Sequence, residues 1–240
     1  MERRNRQSMN LNSSTSKIHR NLNKRHNGKY VQEDMFPNRW LRIGSKAQDK
    51  EVVFNNLLTH INVETLREAY SALDGTKALG IDGISKVAYG KNLNQKLEDL
   101  TRRIHVGSYK PQAKREVKIP KANGKTRPIA VGCFEDKLVE WVVGKILECV
   151  YEPIFIRNSF GFRPNKSPHN AVKATYYSLK DNKRPHAIEI DFASFFNSIP
   201  HRRMIKVLSK RISDRRFKGL IGRFMKGGVL INNELSTPEA

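Results

Sequence analysis

An acidic residue stands between a short apolar run and an aromatic cluster. Asp191 closes the segment His186–Asp191, whose alternation predicts a short strand with Glu189 on the same face. A carboxylate at a strand end is rigid and open on one side, which suits Mg²⁺ because this ion prefers oxygen ligands. The alternative is an N-cap for the following helix, and the residue type alone favours that alternative.

A cationic hairpin is the second candidate. The segment Lys114–Pro128 alternates, turns at Asn123 and Gly124, and is dominated by Lys and Arg. Strands of like charge repel each other, and a triphosphate or a nucleic-acid backbone would relieve that repulsion. Lys121 and Arg127 flank the turn, so both could converge on one phosphate group. The alternative is an exposed hairpin whose lysines protect a sheet edge.

Two more basic segments could contact nucleic acid. Phe160 and Phe162 beside Arg163 could stack on bases or sugars, although aromatic residues in a loop more often plug the core. The segment His201–Lys226 holds ten Lys or Arg and one acid, Asp214. Such a charge excess on amphipathic helices favours a surface that follows phosphates, with a solvated face as the alternative.

The composition points in the same direction. The 240 residues include 45 Lys or Arg and 23 Asp or Glu, for a net charge of +22 that indicates a polyanionic partner. No stretch approaches the roughly 20 apolar residues that span a bilayer, which excludes a membrane protein. The N-terminus lacks the apolar core of a secretory signal. Cys133 and Cys149 have no metal-binding or disulfide pattern, so we expect a reducing compartment, cytoplasmic or, in a eukaryote, organellar.

The hydrophobic pattern predicts both helices and strands. Ordered structure is expected from about Asp49, after a basic extension over residues 1–48 that is expected to be disordered. Predicted elements are a helix at 49–61, a helix capped by Asn62, one long helix from Ser85 to Gly107, the hairpin, a helix over 134–150, a helix opened by Ser167 and Pro168, and helices at 200–212 and 217–224.

Five short motifs of the sequence, in their order along the chain, resemble those of group II intron-encoded reverse transcriptases, also called intron maturases. The matching stretches are Gly80–Gly83, Lys118–Ile129, Glu135–Val139, Ser159–Ala171 and Ile190–His201. Several motifs in the family's order are far more specific than any one of them. Asn197 departs from the pattern, since the family usually has Asp there.

The resemblance implies an α+β fold, with the fingers and an incomplete palm of a right-hand polymerase. The fingers would comprise residues 49–132 and 154–185, and the palm residues 133–153 and 186–240. The Tyr/Phe-x-Asp-Asp motif and the thumb are not in these residues, so the chain is expected to be a fragment that a carboxy-terminal partner could complete.

The resemblance also implies residue roles. Asp191 and the backbone carbonyl of Phe192 would bind Mg²⁺ for two-metal nucleotidyl transfer. Lys121 and Arg127 would hold the triphosphate of the incoming dNTP, and Phe196 would lie beneath its sugar. The expected nucleic-acid contacts are Arg115, Lys125 and Arg163.

The implied activity is RNA-directed DNA polymerisation, with intron RNA or an RNA template and a DNA primer as partners. The alternative is a non-catalytic RNA-binding module that assists intron folding, which predicts RNA affinity that falls steeply with salt. A third reading is a truncated product without function, with an unpaired sheet edge and uncovered apolar faces.

Overall fold

A computed structural model describes residues 35–120, 124–180, 186–193, 195–231 and 234–236. The chain divides into residues 1–37, of which only the first three residues of a helix are described, and residues 38–240. The mixture of helices with one small sheet confirms the α+β class. The helices are α1 (Met35–Ala47), α2 (Val63–Ala72), α3 (Lys86–Gly90), α4 (Leu93–Val106), α5 (Phe134–Tyr151), α6 (Pro168–Lys180), α7 (His201–Leu208) and α8 (Arg215–Lys226). The strands are β1 (Lys114–Pro120), β2 (Thr126–Val131), β3 (Val229–Ile231) and β4 (Glu234–Ser236).

Helix α5 lies at the centre of the hydrophobic core. Its stripe of Leu138, Val142 and Ile146 is fully buried, as the helical spacing predicts. The helix contacts α2 and α3, and the core also contains Leu97 and Leu100 of α4. Because burying one such side chain contributes about 1.5–3 kcal/mol, this stripe is a main source of the stability of the fold.

Local capping signals define several helix ends. The Asn62 side chain accepts the Thr65 backbone N–H, and Thr65 accepts the Asn62 N–H in return, which confirms the predicted cap of α2. Gly107 ends α4 with a φ of 81°, a conformation that glycine adopts without strain. The Ser167 hydroxyl accepts the Asn170 N–H ahead of α6, as predicted.

The predicted extent of the disordered extension is wrong at its carboxyl end. Residues 35–47 form α1, in which Ile43 and Ala47 are buried in the core. Arg211 secures the end of this helix because its guanidinium donates to the carbonyls of Ala47 and Asp49, at 2.8 and 2.7 Å. The prediction of disorder for residues 1–34 falls outside the described part.

Two predicted helices have a different form. The long helix after Ser85 is two helices, because Asn92 has a φ of 58° and interrupts the run between α3 and α4. The predicted helix over 49–61 is an irregular segment with one short 3₁₀ turn at Leu58–His60. Its Phe54 pairs with Ile212 in an isolated bridge, which a helix could not do.

The sheet joins distant parts of the chain in the order β2-β1-β3-β4. Strands β1 and β2 form the predicted antiparallel hairpin, with Val117 opposite Ile129. β3 lies parallel to β1, with Lys114 opposite Val229, and pairs antiparallel with β4. The segments Val229–Ile231 and Glu234–Ser236 therefore extend the sheet beyond β1, on the side away from β2.

Candidate nucleotide and nucleic-acid interface

The hairpin has two chemically different faces. Its register places Ile119 opposite Arg127 and Lys118 opposite Pro128. By strand alternation, one face carries two arginines and no acid (Arg115, Val117, Ile119, Arg127, Ile129 and Val131). We call it the arginine face. The opposite face carries Glu116 and Lys118.

The register removes the repulsion that the sequence suggested. Among the described pairs, each Lys or Arg faces an apolar residue, so no two cations lie directly opposite each other. The arginine face is therefore stable without a bound anion and open to one. Arg127, Ile119 and Ile129 are all exposed, and the two isoleucines flank the position of Arg127 with apolar surface.

The base of the hairpin is anchored to its surroundings. Arg115 donates to the Leu79 carbonyl at 2.9 Å, and Lys114 pairs with Glu140 at 2.8 Å. The adjoining Gly80 lies so close to Cys133 that an added Cβ would fall 2.5 Å from the Cys133 Cα. This contact explains the first glycine of the Gly80–Gly83 motif by packing, since no other residue fits.

The tip of the hairpin is the exposed part. Lys125 is exposed but engaged with another group, and Gly124 has the positive φ of 76° that a tight hairpin turn needs. Lys121 and Asn123 lie outside the described residues. The predicted convergence of Lys121 with Arg127 on one phosphate therefore stays a prediction.

The predicted strand ahead of Asp191 does not form. Residues 186–190 have no strand pairing with any described residue, so the expected shared face of Glu189 and Asp191 does not exist here. A strand needs a partner to satisfy its backbone N–H and C=O groups, and apolar alternation alone does not provide one. Ile188 and Ile190 are 86% and 74% exposed.

Asp191 is an exposed carboxylate, followed by exposed aromatic rings. Phe192 and Phe196 are 70% and 77% exposed, and each lies near Phe195, with ring centroids 6.1 and 5.5 Å apart. The structure therefore keeps Asp191 and the Phe196 ring accessible. The cap predicted as the alternative would involve residue 194, which lies outside the described residues, so it stays a prediction. No three His, Cys, Asp or Glu residues of the described ranges cluster to hold a metal ion, so Asp191 offers one carboxylate ligand only.

Arg163 has a structural position, in contrast to the predicted nucleic-acid contact. Its side chain is 8% exposed and makes a salt bridge to Glu152, with Nη2 at 2.8 Å and Nε at 3.1 Å from Oε1. Its Nη1 donates to the carbonyls of Ile156 and Ser159, at 2.9 and 2.8 Å. Four of the five guanidinium N–H donors are thus engaged within this part of the chain, which leaves little for a phosphate.

The two aromatic residues of the same motif differ in their environment. Phe160 is half-buried with the Lys166 ammonium 5.6 Å from its ring centroid, whereas Phe162 is fully exposed. The prediction that both plug the core is therefore wrong for Phe162. Its backbone φ is 55°, in the left-handed region.

The basic helices combine exposed and structural charges. Seven of the ten cations are exposed: Arg202, Arg203, Lys206, Lys210, Arg215, Arg216 and Lys226. Lys218 donates to the Ser209 hydroxyl at 2.8 Å. Arg211 is buried, and Asp214 caps α8 by accepting the Phe217 N–H at 2.9 Å. The remaining surface is rich enough in cations to follow a phosphate backbone.

A basic pocket next to α1 was not predicted from the sequence, because α1 lies in the extension that was expected to be disordered. The pocket has a volume of about 370 Å³, and its lining includes Arg39, Arg42, Lys46 and His60. Burial lowers the pKa of His60, and the charges of Arg39 and Arg42 lower it further. The spacing of these basic residues in the sequence, three and four apart, was the available signal.

A buried acid supports the entry into the hairpin. Tyr109 donates its hydroxyl to Asp136, and the Gln112 backbone N–H donates to the same carboxylate at 3.0 Å. Burial raises the pKa of Asp136 above its ordinary value, although these two hydrogen bonds lower it. The carboxylate thus fixes the segment between α4 and β1 against α5.

Comparison with known proteins identifies the family. The model of the reverse transcriptase (RNA-dependent DNA polymerase) family matches residues 119–238, which include β2, the Asp191 segment and the basic helices. The chain belongs to this family and, by the relatives that follow, to its group II intron-encoded branch. The family is one of nucleotidyltransferases, as the sequence motifs indicate.

Several curated proteins are similar to the chain. Group II intron-encoded protein LtrA of Lactococcus lactis is 31% identical over 194 residues, which are 80% of this chain and 32% of that protein. Protein YkfC of Escherichia coli is 34% identical over 157 residues, 64% of this chain and 41% of YkfC. A putative COX1/OXI3 intron 2 protein of Saccharomyces cerevisiae is 32% identical over 66% of this chain and 17% of its own length. The chain therefore spans less than half the length of these relatives.

No helix in the described part of the chain combines the length and hydrophobicity needed to cross a membrane.

Proposed function

We propose that these residues belong to an RNA-directed DNA polymerase of the group II intron type, and form its fingers and the start of its palm. The polymerase would transfer a nucleotide from a dNTP to a primer 3′-OH on an RNA template. The observation that carries the proposal is the arginine face, which is free of acids, exposes both arginines, and overlaps the sequence that matches the family from Ile119 onward. Cationic groups in fixed positions are what phosphoryl transfer requires of a protein.

Arg127 contacts the triphosphate in this proposal. A guanidinium forms paired hydrogen bonds with phosphate oxygens and stays charged at every physiological pH. The anchored base of the hairpin limits the motion of β1 and β2, while the exposed tip gives the nucleotide access. Lys121 and Lys125 add positive charge around the same turn. Arg115 lies on the same face at the base, where its hydrogen bond to the Leu79 carbonyl positions it for a contact with nucleic acid in this proposal.

Asp191 supplies one carboxylate ligand for Mg²⁺, and the backbone carbonyl of Phe192 lies beside it in sequence. When bound, Mg²⁺ supplies charge stabilisation for the transferring phosphoryl group. The described residues form no complete metal site, so in this proposal further ligands come from outside the described part of the chain. The exposed ring of Phe196 forms a surface for the sugar of the incoming nucleotide.

A primer-extension assay tests the polymerase proposal. The chain is mixed with the part of LtrA that follows the matched region, an RNA template, a DNA primer, dNTPs and Mg²⁺. We expect extension with the wild-type chain and its loss with Asp191→Ala, while Asp191→Ala leaves the melting temperature unchanged because Asp191 is exposed. Extension that survives Asp191→Ala contradicts the role of Asp191, and no extension under any condition contradicts a complementable polymerase.

The exposed cations of α7 and α8 favour a second candidate, an RNA-binding module that assists folding of intron RNA without chemistry. Phosphate contacts release counterions, so the affinity for RNA falls steeply as salt rises. Titration of dNTP with Mg²⁺ separates the two candidates. Affinity that depends on Asp191 supports the polymerase, and absence of dNTP binding together with salt-dependent RNA binding supports the module. A cytoplasmic or organellar location stays a prediction in both cases.

A further inference from the structure

Phe162 adopts a conformation that its residue type disfavours. Its φ of 55° lies in the left-handed region, where the Cβ of a bulky residue meets the backbone, and its side chain is 104% exposed. Exposure of an aromatic ring and a strained backbone both oppose folding. Strain of this kind persists where the surrounding structure enforces it, and it concentrates at functional sites.

Arg163 provides that enforcement. The next residue in the chain is held by the salt bridge to Glu152 and by hydrogen bonds to the Ile156 and Ser159 carbonyls. The Arg163 guanidinium also lies 5.1 Å from the ring centroid of Phe155. The Phe162 ring is therefore presented from a fixed loop, which lowers the entropic cost of binding a partner.

The surroundings of Phe162 combine apolar surface with positive charge. A pocket of about 380 Å³ beside the ring is lined by Tyr151, Phe155, Pro164 and Val207, among others. The pocket also contains Glu148 and Glu152, but these carboxylates pair with Lys145 and Arg163. Residues 155–166, all described, contain no acid, and Arg157 and Lys166 add positive charge beyond the Arg163–Glu152 pair.

We propose that Phe162 is a stacking platform for an unpaired base of single-stranded RNA, a contact that rests on the proposed function. Every base has an aromatic face that stacks on a Phe ring, with little dependence on sequence. The net charge of +22 and the cationic loop attract the adjoining phosphates. The flat exposed ring and the positive charge occur together here, and single-stranded RNA offers both a base to stack and phosphates to pair.

A cycle of protein and RNA changes tests the platform. The affinity of the full chain is measured for a fluorescent oligouridylate of about 12 nucleotides and for an abasic oligomer of the same length. Phe162→Ala should weaken oligouridylate binding between about fivefold and about a hundredfold, the range for loss of one stacked base. The same variant should leave abasic binding unchanged, and Phe162→Tyr should retain wild-type affinity for both.

A matched control separates stacking from loss of any apolar side chain. Val87 on α3 is also an exposed apolar residue, at 78%, so Val87→Ala should change neither affinity. Phe162→Gly should lose the stacking while its melting temperature matches or exceeds that of Phe162→Ala, because glycine accepts the positive φ without strain. This comparison shows that a lost affinity does not arise from unfolding.

The failures of the two proposals differ in this experiment. If the wild type binds both oligomers with steep salt dependence and Phe162→Ala binds oligouridylate equally well, the stacking proposal is wrong and RNA binding stands. An equal loss for both oligomers also overturns stacking, because no base is then involved. If the wild-type chain binds no RNA at low salt, both proposals fail.

Discussion

The carboxylate of Asp214 accepts the backbone N–H of Leu58 at 2.9 Å, although the two residues lie 156 positions apart. The other oxygen of the same carboxylate accepts the N–H of Phe217 and caps α8. The only acid of the basic segment 201–226 therefore joins the junction between α7 and α8 to the loop after α1.

Removal of this carboxylate should destabilise the protein. Asp214→Ala leaves the buried Leu58 N–H without its acceptor and removes the cap of α8. A lost cap costs about 1 kcal/mol and a buried unsatisfied donor about 1–3 kcal/mol, so we expect a loss of about 2–4 kcal/mol. Urea unfolding of the wild type and the variant measures this loss in the free energy of unfolding. Ser85→Ala removes an exposed cap of α3 and should cost about 1 kcal/mol or less; an equal loss in both variants contradicts the double role.

Arg163 should matter for stability more than a surface arginine does. Arg163→Ala removes the cation that pairs with the partly buried Glu152 carboxylate and the side-chain donor to the Ser159 carbonyl, and we expect a loss of about 3 kcal/mol. Arg102→Ala is the matched control, because the salt bridge between Arg102 and Asp99 is exposed and contributes below about 1 kcal/mol. Thermal and urea unfolding provide the comparison. Similar losses in the two variants would show that Arg163 is not a structural clamp.

The two faces of the hairpin should respond differently to substitution. Arg127→Ala should weaken dNTP binding by about tenfold to a hundredfold, because a charge-assisted hydrogen bond is lost. Lys118→Ala removes an equal charge from the opposite face and should have little effect. Titration of a fluorescent dNTP in the presence of primer and template measures both. Equal effects would indicate that only total charge matters and would contradict a specific contact by Arg127.

Asp136 should make stability depend on pH. Burial raises its pKa above the ordinary 3.8, so the folded chain binds this proton more tightly than the unfolded chain does. Its contribution is therefore most favourable below pH 3.8 and is lost as pH rises through the folded pKa. Asp136→Asn cannot titrate, so the stability of the wild type relative to this variant should fall as pH rises above 3.8 through the folded pKa of Asp136. Urea unfolding of both proteins at each pH measures it, and a difference that stays constant or grows contradicts the prediction.

Local chemistry made much of the fold predictable. The capping pattern at Asn62, the left-handed stop at Gly107 and the apolar stripe of α5 depend on neighbouring residues, and all three are confirmed. The hairpin was predictable because alternation and a turn signal occur together in one short segment.

Other features depend on partners that a sequence pattern does not show. Helix α1 lies in a polar, basic region of the sequence, and its carboxyl end bonds to the distant Arg211. Alternation before Asp191 indicated a strand, but pairing decides whether one forms. The motif around Arg163 indicated nucleic acid, whereas the direction in which the guanidinium folds back is visible only in three dimensions.

The parallel pairing of β1 with β3 has a consequence for synthesis of the chain. Lys114 of β1 lies opposite Val229 of β3. More than a hundred further residues must therefore leave the ribosome after β1 before β3 can pair with it. Closing so long a loop is slow compared with forming a helix or a hairpin. The β1–β2 hairpin can therefore form early in translation. One edge of β1 then stays unpaired until β3 has been synthesised.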